Sequence, residues 1–380
     1  MPSILVKLDY MADPHVLNNK LIDTLLTRGA LSNGYIEQAF RNTLRHYFLP
    51  GKDLAAIYSN EAVVTSWSED GKEPTSSSSQ PEVMATMLDY MDAQPGQRVL
   101  EIGTGTGYNA ALLASIVGSP PNVHSVDLVP EIVAQAAKNL ESQGTFGIHF
   151  HCSDGWQGWP GGALYDSIIV TASSYDVAPA WFEQLRDGGR LVFPLEISTG
   201  NDRAVAFTKS GDTLELSHHS RCGFMRMRGG YDTRVVNAIA AHARAIRRQN
   251  IEVETVPPDS NPNWSDLAFF LSLYIWPRIV TVSNPENDVN RKFIMTADRD
   301  FGRQTLLECQ SGWRIHNSAS EAEAQQLKSL LHLWYEAGKP SPARLHLTAY
   351  PIPTKQGEAK EEHVFRRKWF EYSVSWDRAF

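Results

Sequence analysis

Cysteine is scarce in this chain: Cys152, Cys222 and Cys309 are the only three among 380 residues. Their wide spacing offers neither a disulfide framework nor a zinc knuckle, and it points to a reducing compartment. Positive charge is not in excess either. Thirty-five Lys and Arg stand against 43 Asp and Glu, a net charge of −8, which leaves no electrostatic footprint for nucleic acid or an anionic membrane. No stretch reaches the roughly 18 uncharged apolar residues of a membrane span. The opening MPSILVKLDYMADPH lacks the apolar core of a secretory signal, so a cytoplasmic location is expected. There is no internal repeat. What remains is an ordinary globular composition, 42% hydrophobic and 21% charged, in a chain long enough for two or three domains.

Apolar residues recur at helical spacing from Pro14 to Tyr47 (Val16, Leu17, Leu21, Leu25, then Ile36, Ala39, Phe40, Leu44), which predicts two amphipathic helices broken at Gly29 and Gly34. The β-branched run at 61–67 precedes SEDGKEPTSSSS, read as a hairpin or mobile loop. Helices and strands then alternate. Helices are expected near 81–91, 108–117, 130–142 and 179–185, and strands near 98–102, 123–127, 147–151, 166–171 and 190–194. Such near-continuous apolar strands, separated by crossover helices, predict a parallel sheet covered on both faces. A hairpin at 204–208 and 213–217 is expected to close one edge. Beyond Gly229-Gly230 the expectation is a long helix over 232–248, short strands, a helix over 320–337 and an aromatic tail with Trp369, Phe370, Tyr372 and Trp376.

The expected organisation is an N-terminal helical and substrate-loop segment at 1–80, a core at 81–228 and an α+β accessory domain at 229–380. The chemistry concentrates in the core. Residues 99–108 read VLEIGTGTGY, a strand, an acid and three glycines ahead of a helix. Glycines allow a tight turn and close approach of a ligand, and the helix N-terminus favours negative charge. The dinucleotide fingerprint needs glycine at its first, third and sixth positions. Here the third glycine, Gly107, is at the fifth, which points from NAD toward S-adenosylmethionine. Asp127 closes the next strand, where a carboxylate can accept both ribose hydroxyls, and Asp154-Gly155 follows the third, where the Asp could take the adenine amino group. Each acid alone is a generic turn residue. Three acids at the ends of three successive strands form a binding pattern.

SQPEVMATML, VLEIGTGTGYNAALLA, SDGW, YDSIIVTAS and LRDGGRLVFPL follow in that order, and this series resembles the protein-L-isoaspartate O-methyltransferase family over roughly residues 14–228. The resemblance implies a Rossmann-like class I methyltransferase sheet and transfer of methyl from S-adenosylmethionine to a side-chain carboxylate of a peptide. It matches Ser79 to the family's active-site serine. Cofactor positions are Ser79, Gln80, Glu101, Gly103, Thr104, Gly105, Gly107, Asp127, Leu128, Asp154 and Gly155. The substrate side is Ser78, Ser79, Thr171, Ala172 and Ser173, with Thr171-Ala172 as the backbone edge that holds the carboxylate. No metal is expected; His218-His219 would point to opposite faces of a strand.

Three features depart from that family: the serine run TSSSSQP, SSYD at 173–176 in place of Ala-Ala-Pro, and the long C-terminal extension. They resemble the extended members of ribosomal peptide maturation pathways (lanthipeptide, lasso and graspetide). The expected substrate is then an Asp of a constrained precursor peptide, methylated and closed to a succinimide. The alternatives are isoaspartyl repair and a non-catalytic peptide chaperone. Arg226 and Arg228 share a strand face and are read either as receivers of an acidic peptide or as solvated residues. Trp264, Trp276, Trp313 and Trp334 are read as core.

Overall fold

The computed structural model describes residues 13–72, 74–198, 201–229, 263–275, 279–283, 293–297, 304–309, 313–317, 321–352 and 363–377. The helix expected over 232–248 and Trp276 lie outside them. Two compact units divide the chain. The first comprises residues 1–171 and 184–192, the second residues 172–183 and 193–380.

The first unit opens with α1 (Pro14–Thr27) and α2 (Gly34–Asn42). Each is started by a side chain that satisfies an orphan N–H: Asp13 accepts from His15 and Asn33 from Tyr35. Leu21, Ile22 and Leu25 on one helix and Ile36, Ala39 and Phe40 on the other are buried, most of the stripes that the spacing predicts, whereas Val16 at the start of α1 is 49% exposed. A short helix α3 (Leu54–Ile57) leads to β1 (Val63–Trp67), which pairs antiparallel with β2 (Pro74–Ser78). The serine run is therefore a hairpin strand.

Next come α4 (Pro81–Met91), β3 (Val99–Ile102), α5 (Tyr108–Val117), β4 (Val123–Asp127), α6 (Pro130–Ser142), β5 (His149–Cys152), β6 (Tyr165–Val170), α7 (Pro179–Gln184) and β7 (Leu185–Ser198). In the first unit the parallel strands run β7, β6, β3, β4, β5. From β3 the chain goes outward through β4 and β5, then returns to lay β6 on β3's other side. The order reverses at the carboxyl end of β3, the place where open α/β sheets bind ligands.

In the second unit β8 (Asn201–Ser210) and β9 (Thr213–Cys222) form the expected hairpin. It does not close an edge. β9 pairs with β14 (Leu345–Pro351), which pairs with β16 (Phe370–Trp376), itself bordered by β15 (His363–Arg366). The boundary expected at 228 is corrected for that reason: strands from the tail complete the sheet that the hairpin begins. The aromatic tail is a buried strand, with Phe370 and Tyr372 at 1% and 0% exposure. The same unit contains α8 (Trp264–Tyr274), the antiparallel strands β10 (Ile279–Ser283), β11 (Phe293–Ala297), β12 (Gln304–Cys309) and β13 (Trp313–Asn317), and α9 (Glu321–Glu336). Trp334 lies in their core, and Trp264 packs against it. Among the described residues no helix is long and apolar enough to cross a membrane.

Candidate active site

The glycine loop fills the reversal point between β3 and α5. Gly103 has φ +99°, and a Cβ there would collide with the Thr171 hydroxyl. That hydroxyl donates to the Gly103 carbonyl at 2.7 Å, clamping the loop to the end of β6. Gly107, at φ +84°, is the N-cap of α5, and a Cβ would lie 2.6 Å from Leu140 and 3.1 Å from Ala136 of α6. Only glycine meets both the backbone and the space at these two positions.

Asp127 ends β4 half-buried. Its Oδ2 accepts from the Gly105 N–H and its Oδ1 from the Val129 N–H, each at 3.2 Å. A carboxylate accepts about four hydrogen bonds, so lone pairs remain for two ligand hydroxyls. Asp154 follows β5 and accepts from the Trp156 N–H at 3.0 Å. Leu128 is 41% exposed, an apolar surface beside Asp127. Gly103, Gly105, Asp127, Leu128, Asp154 and Gly155 thus belong to the carboxyl ends of three adjacent strands, with the N-terminus of α5 among them. The open glycine backbone, the acceptor carboxylate and the positive helix end fit a nucleoside with a charged tail.

Two expected contacts are placed otherwise. Glu101 is 0% exposed, with Oε2 accepting from the Ser125 hydroxyl at 2.6 Å and Oε1 from Asn109 Nδ2 at 2.9 Å. Burial pushes its pKa up to about 7, against the pull of Ser125 and Asn109. It offers no surface to a ligand and instead ties the first turn of α5 and strand β4 to β3. Thr104, 3% exposed, hydrogen-bonds Ser125 at 2.7 Å and extends that network.

Ser79 and Gln80 precede α4, whose N-terminal Glu82 N–H is capped by Asn60 at 3.0 Å. Arg45, fully buried, holds the approach to them. Its Nη2 donates to the Ser79 and Ser78 carbonyls at 2.9 and 3.2 Å, its guanidinium contacts the Ser78 hydroxyl, and Nη1 donates to the Ile57 carbonyl at 2.7 Å. Ser78 is therefore turned to Arg45, at 4% exposure, and is corrected from a substrate contact to a structural residue. Ser79 is engaged through its carbonyl. Sequence reasoning missed Arg45, Asn109 and Ser125. Ser125 was accessible from its i, i+2 spacing to Asp127; a buried arginine bound mainly by carbonyls leaves no sequence pattern.

Ala172 and Ser173 belong to the second unit. There Ser173 is flanked by backbone bonds with Met225 and Met227, and Ser174 by bonds with Pro194 and Glu196. Arg226 is ion-paired with Glu196 at 2.7 Å, which answers its reading as a free receiver of acidic peptide. Asp202 is pushed up to about 6 by burial and by Glu196. Among the described residues no group of three or more His, Cys, Asp or Glu is placed to hold a metal ion. In the first unit His124, His149 and His151 stack together, with His151 on Trp159 at 3.7 Å, and burial lowers the His124 pKa to about 4.

Comparison with known proteins places these features in a group. Residues 16–231 match the family described as protein-L-isoaspartate(D-aspartate) O-methyltransferase (PCMT). The protein-L-isoaspartate O-methyltransferase of Dictyoglomus thermophilum is 34% identical over 214 residues, 56% of this chain and 91% of that protein. The one from Thermotoga maritima is 37% identical over 185 residues, 49% of this chain and 58% of that protein. A solved structure titled protein-L-isoaspartate O-methyltransferase aligns with a TM-score of 0.55 at 27% identity, covering 87% of this chain and 96% of that one. That coverage reaches well past residue 231.

Proposed function

The chain belongs to the protein-L-isoaspartate O-methyltransferase family, S-adenosylmethionine-dependent carboxyl O-methyltransferases, and on that premise we propose that it methylates the free carboxylate of isoaspartyl residues in peptides or proteins, the first step of their repair. The observation that carries this reading is the reach of the structural likeness. A protein titled with this activity aligns over 87% of the chain, so an extension after the core is not by itself a departure from the family.

Bound S-adenosylmethionine supplies an electrophilic methyl group. The chain's residues hold and align the partners. Asp127 would accept the ribose hydroxyls and Asp154 the adenine amino group, and the Gly103–Gly107 backbone with the α5 N-terminus would receive the charged tail. Thr171 and Ala172 present the acceptor carboxylate, and Ser79 orients it. A carboxylate with a pKa near 4 is already ionised at pH 7, so no side chain needs to remove a proton. Alignment and exclusion of water are the enzyme's contribution. Residues 229–380 act in this reading as the part that selects the acceptor.

A second reading, esterification of an ordinary Asp in a constrained ribosomal peptide with closure to a succinimide, rested on the serine run, SSYD and the C-terminal extension. Asp176 of SSYD is 0% exposed, so it touches no substrate and that departure has a structural reason. The deciding assay offers labelled cofactor with a linear isoaspartyl peptide, its aspartyl isomer and a cyclised aspartyl peptide. Methylation of the first alone is expected; methylation of the cyclised peptide alone overturns the repair reading.

A further inference from the structure

SSYD was singled out as a departure, and the mechanism above makes no use of it. Its Asp176 is an ionisable group with no exposure, and three donors converge on it. The backbone N–H of Val177 and the Tyr372 hydroxyl donate to Oδ1 at 2.9 and 2.8 Å, and the Trp369 N–H donates to Oδ2 at 2.8 Å. Two of these donors are about two hundred residues away in sequence, in and beside β16. The rest of the segment is fixed as well. Ser173 and Ser174 are bridged by backbone bonds to 225–227 on one side and 194–196 on the other, and the Ser174 hydroxyl donates to the Asp176 carbonyl at 2.6 Å. Arg367, nearly buried, donates to the Glu196 carbonyl at 2.9 Å and lies over Tyr175 and Tyr372.

We propose that Asp176 is a positioning residue for the acceptor side of the reaction, through which the C-terminal strand β16 sets the backbone that follows Thr171. This rests on the reading of Thr171-Ala172 as the acceptor edge. Only a carboxylate suits the position, because it accepts at both oxygens and donates at neither. An amide would turn an N–H2 against one of the three donors. Burial pushes its carboxyl up to about 6, and Arg367 in the same cluster favours the charged form against that. Through this contact the extension also acts indirectly: it fixes residues 173–176, which adjoin the edge that holds the carboxylate. A residue that only glued the core would affect overall stability, whereas this one is bonded to the segment adjoining the acceptor edge.

The test uses the full-length enzyme and the isoaspartyl peptide. Asp176→Asn should raise KM for the peptide about tenfold, the effect of one lost hydrogen bond to a charged group, with kcat within about twofold and cofactor affinity by calorimetry unchanged. Tyr372→Phe, which removes one donor and alters neither charge nor shape, should raise KM about threefold, and it carries the test if the Asn variant does not fold. Amide hydrogen exchange at 172–177 should quicken in both, with exchange at 103–107 unchanged. Unaltered KM and exchange in both variants overturn the proposal, as does a loss confined to cofactor affinity. Wild-type inactivity on the isoaspartyl peptide would instead sink the repair reading; KM is then compared on whichever acceptor is methylated, and exchange at 172–177 decides whether the contact exists.

Discussion

Two acids on adjacent strands illustrate how much one carboxylate's surroundings decide. Asp127, half-buried at the end of β4, is held by two backbone N–H groups and keeps lone pairs for a ligand. Asp127→Ala removes two hydrogen bonds to a charged acceptor, each worth about 1.5–3 kcal/mol, so titration calorimetry should show cofactor affinity reduced at least about a hundredfold. Unchanged affinity would remove Asp127 from the site. Glu101, fully enclosed, has a folded pKa near 7 against an ordinary 4.5. Because the folded value is the higher one, its contribution to stability is complete below about 4.5 and is lost as pH rises through 7. Glu101→Gln should therefore gain stability relative to wild type as pH rises from about 4.5 to about 7.5 and hold that gain above it, by at most of order 3 kcal/mol. Parallel melting curves across that range would refute the assignment. Both acids were legible in the sequence as strand-end residues, but their different roles were not, because burial depends on Asn109 and Ser125 closing over one and not the other.

At the scale of the element, the β1–β2 hairpin depends on a residue outside it. Arg45 spans it, bonded to the carbonyls of Ile57, Ser78 and Ser79 and the Ser78 hydroxyl. Burial lowers its pKa, yet a guanidinium remains charged and supplies five donors in a fixed fork. Arg45→Met leaves several buried carbonyls without a donor, which should cost at least about 3 kcal/mol at 1–3 for each. In urea the midpoint should fall and exchange at 76–80 should rise; Arg45→Lys should recover only part. A Met variant with the wild-type midpoint would show the hairpin to be independent of Arg45. The serine run read as hairpin or mobile loop, and the sequence could not choose, since the anchoring arginine is some thirty residues upstream. By contrast α4, α5, β4 and α6 matched their expected bounds, because proline or glycine begins each helix and the strands are unbroken apolar runs.

For the whole molecule, the parallel sheet was legible because its neighbouring strands, β3 and β6 excepted, lie close in sequence and are joined by a single crossover. The tail was not. β14 pairs with β9 across more than a hundred residues, and an alternating strand carries no mark of its distant partner. That long-range pairing places Trp369 and Tyr372 against Asp176, and it turned an apparent substrate motif into an internal contact. The account's central claim is that this enzyme acts on isoaspartyl linkages. The most direct measurement incubates one isoaspartyl peptide with enzyme and S-adenosylmethionine over repeated cycles of methylation, spontaneous closure to the succinimide and hydrolysis, and follows the isoaspartyl and aspartyl isomers chromatographically. The account predicts a steady fall in isoaspartyl peptide with a matching rise in the aspartyl form; an isoaspartyl peptide that persists unmethylated, while a cyclised aspartyl peptide loses water under the same conditions, would contradict it.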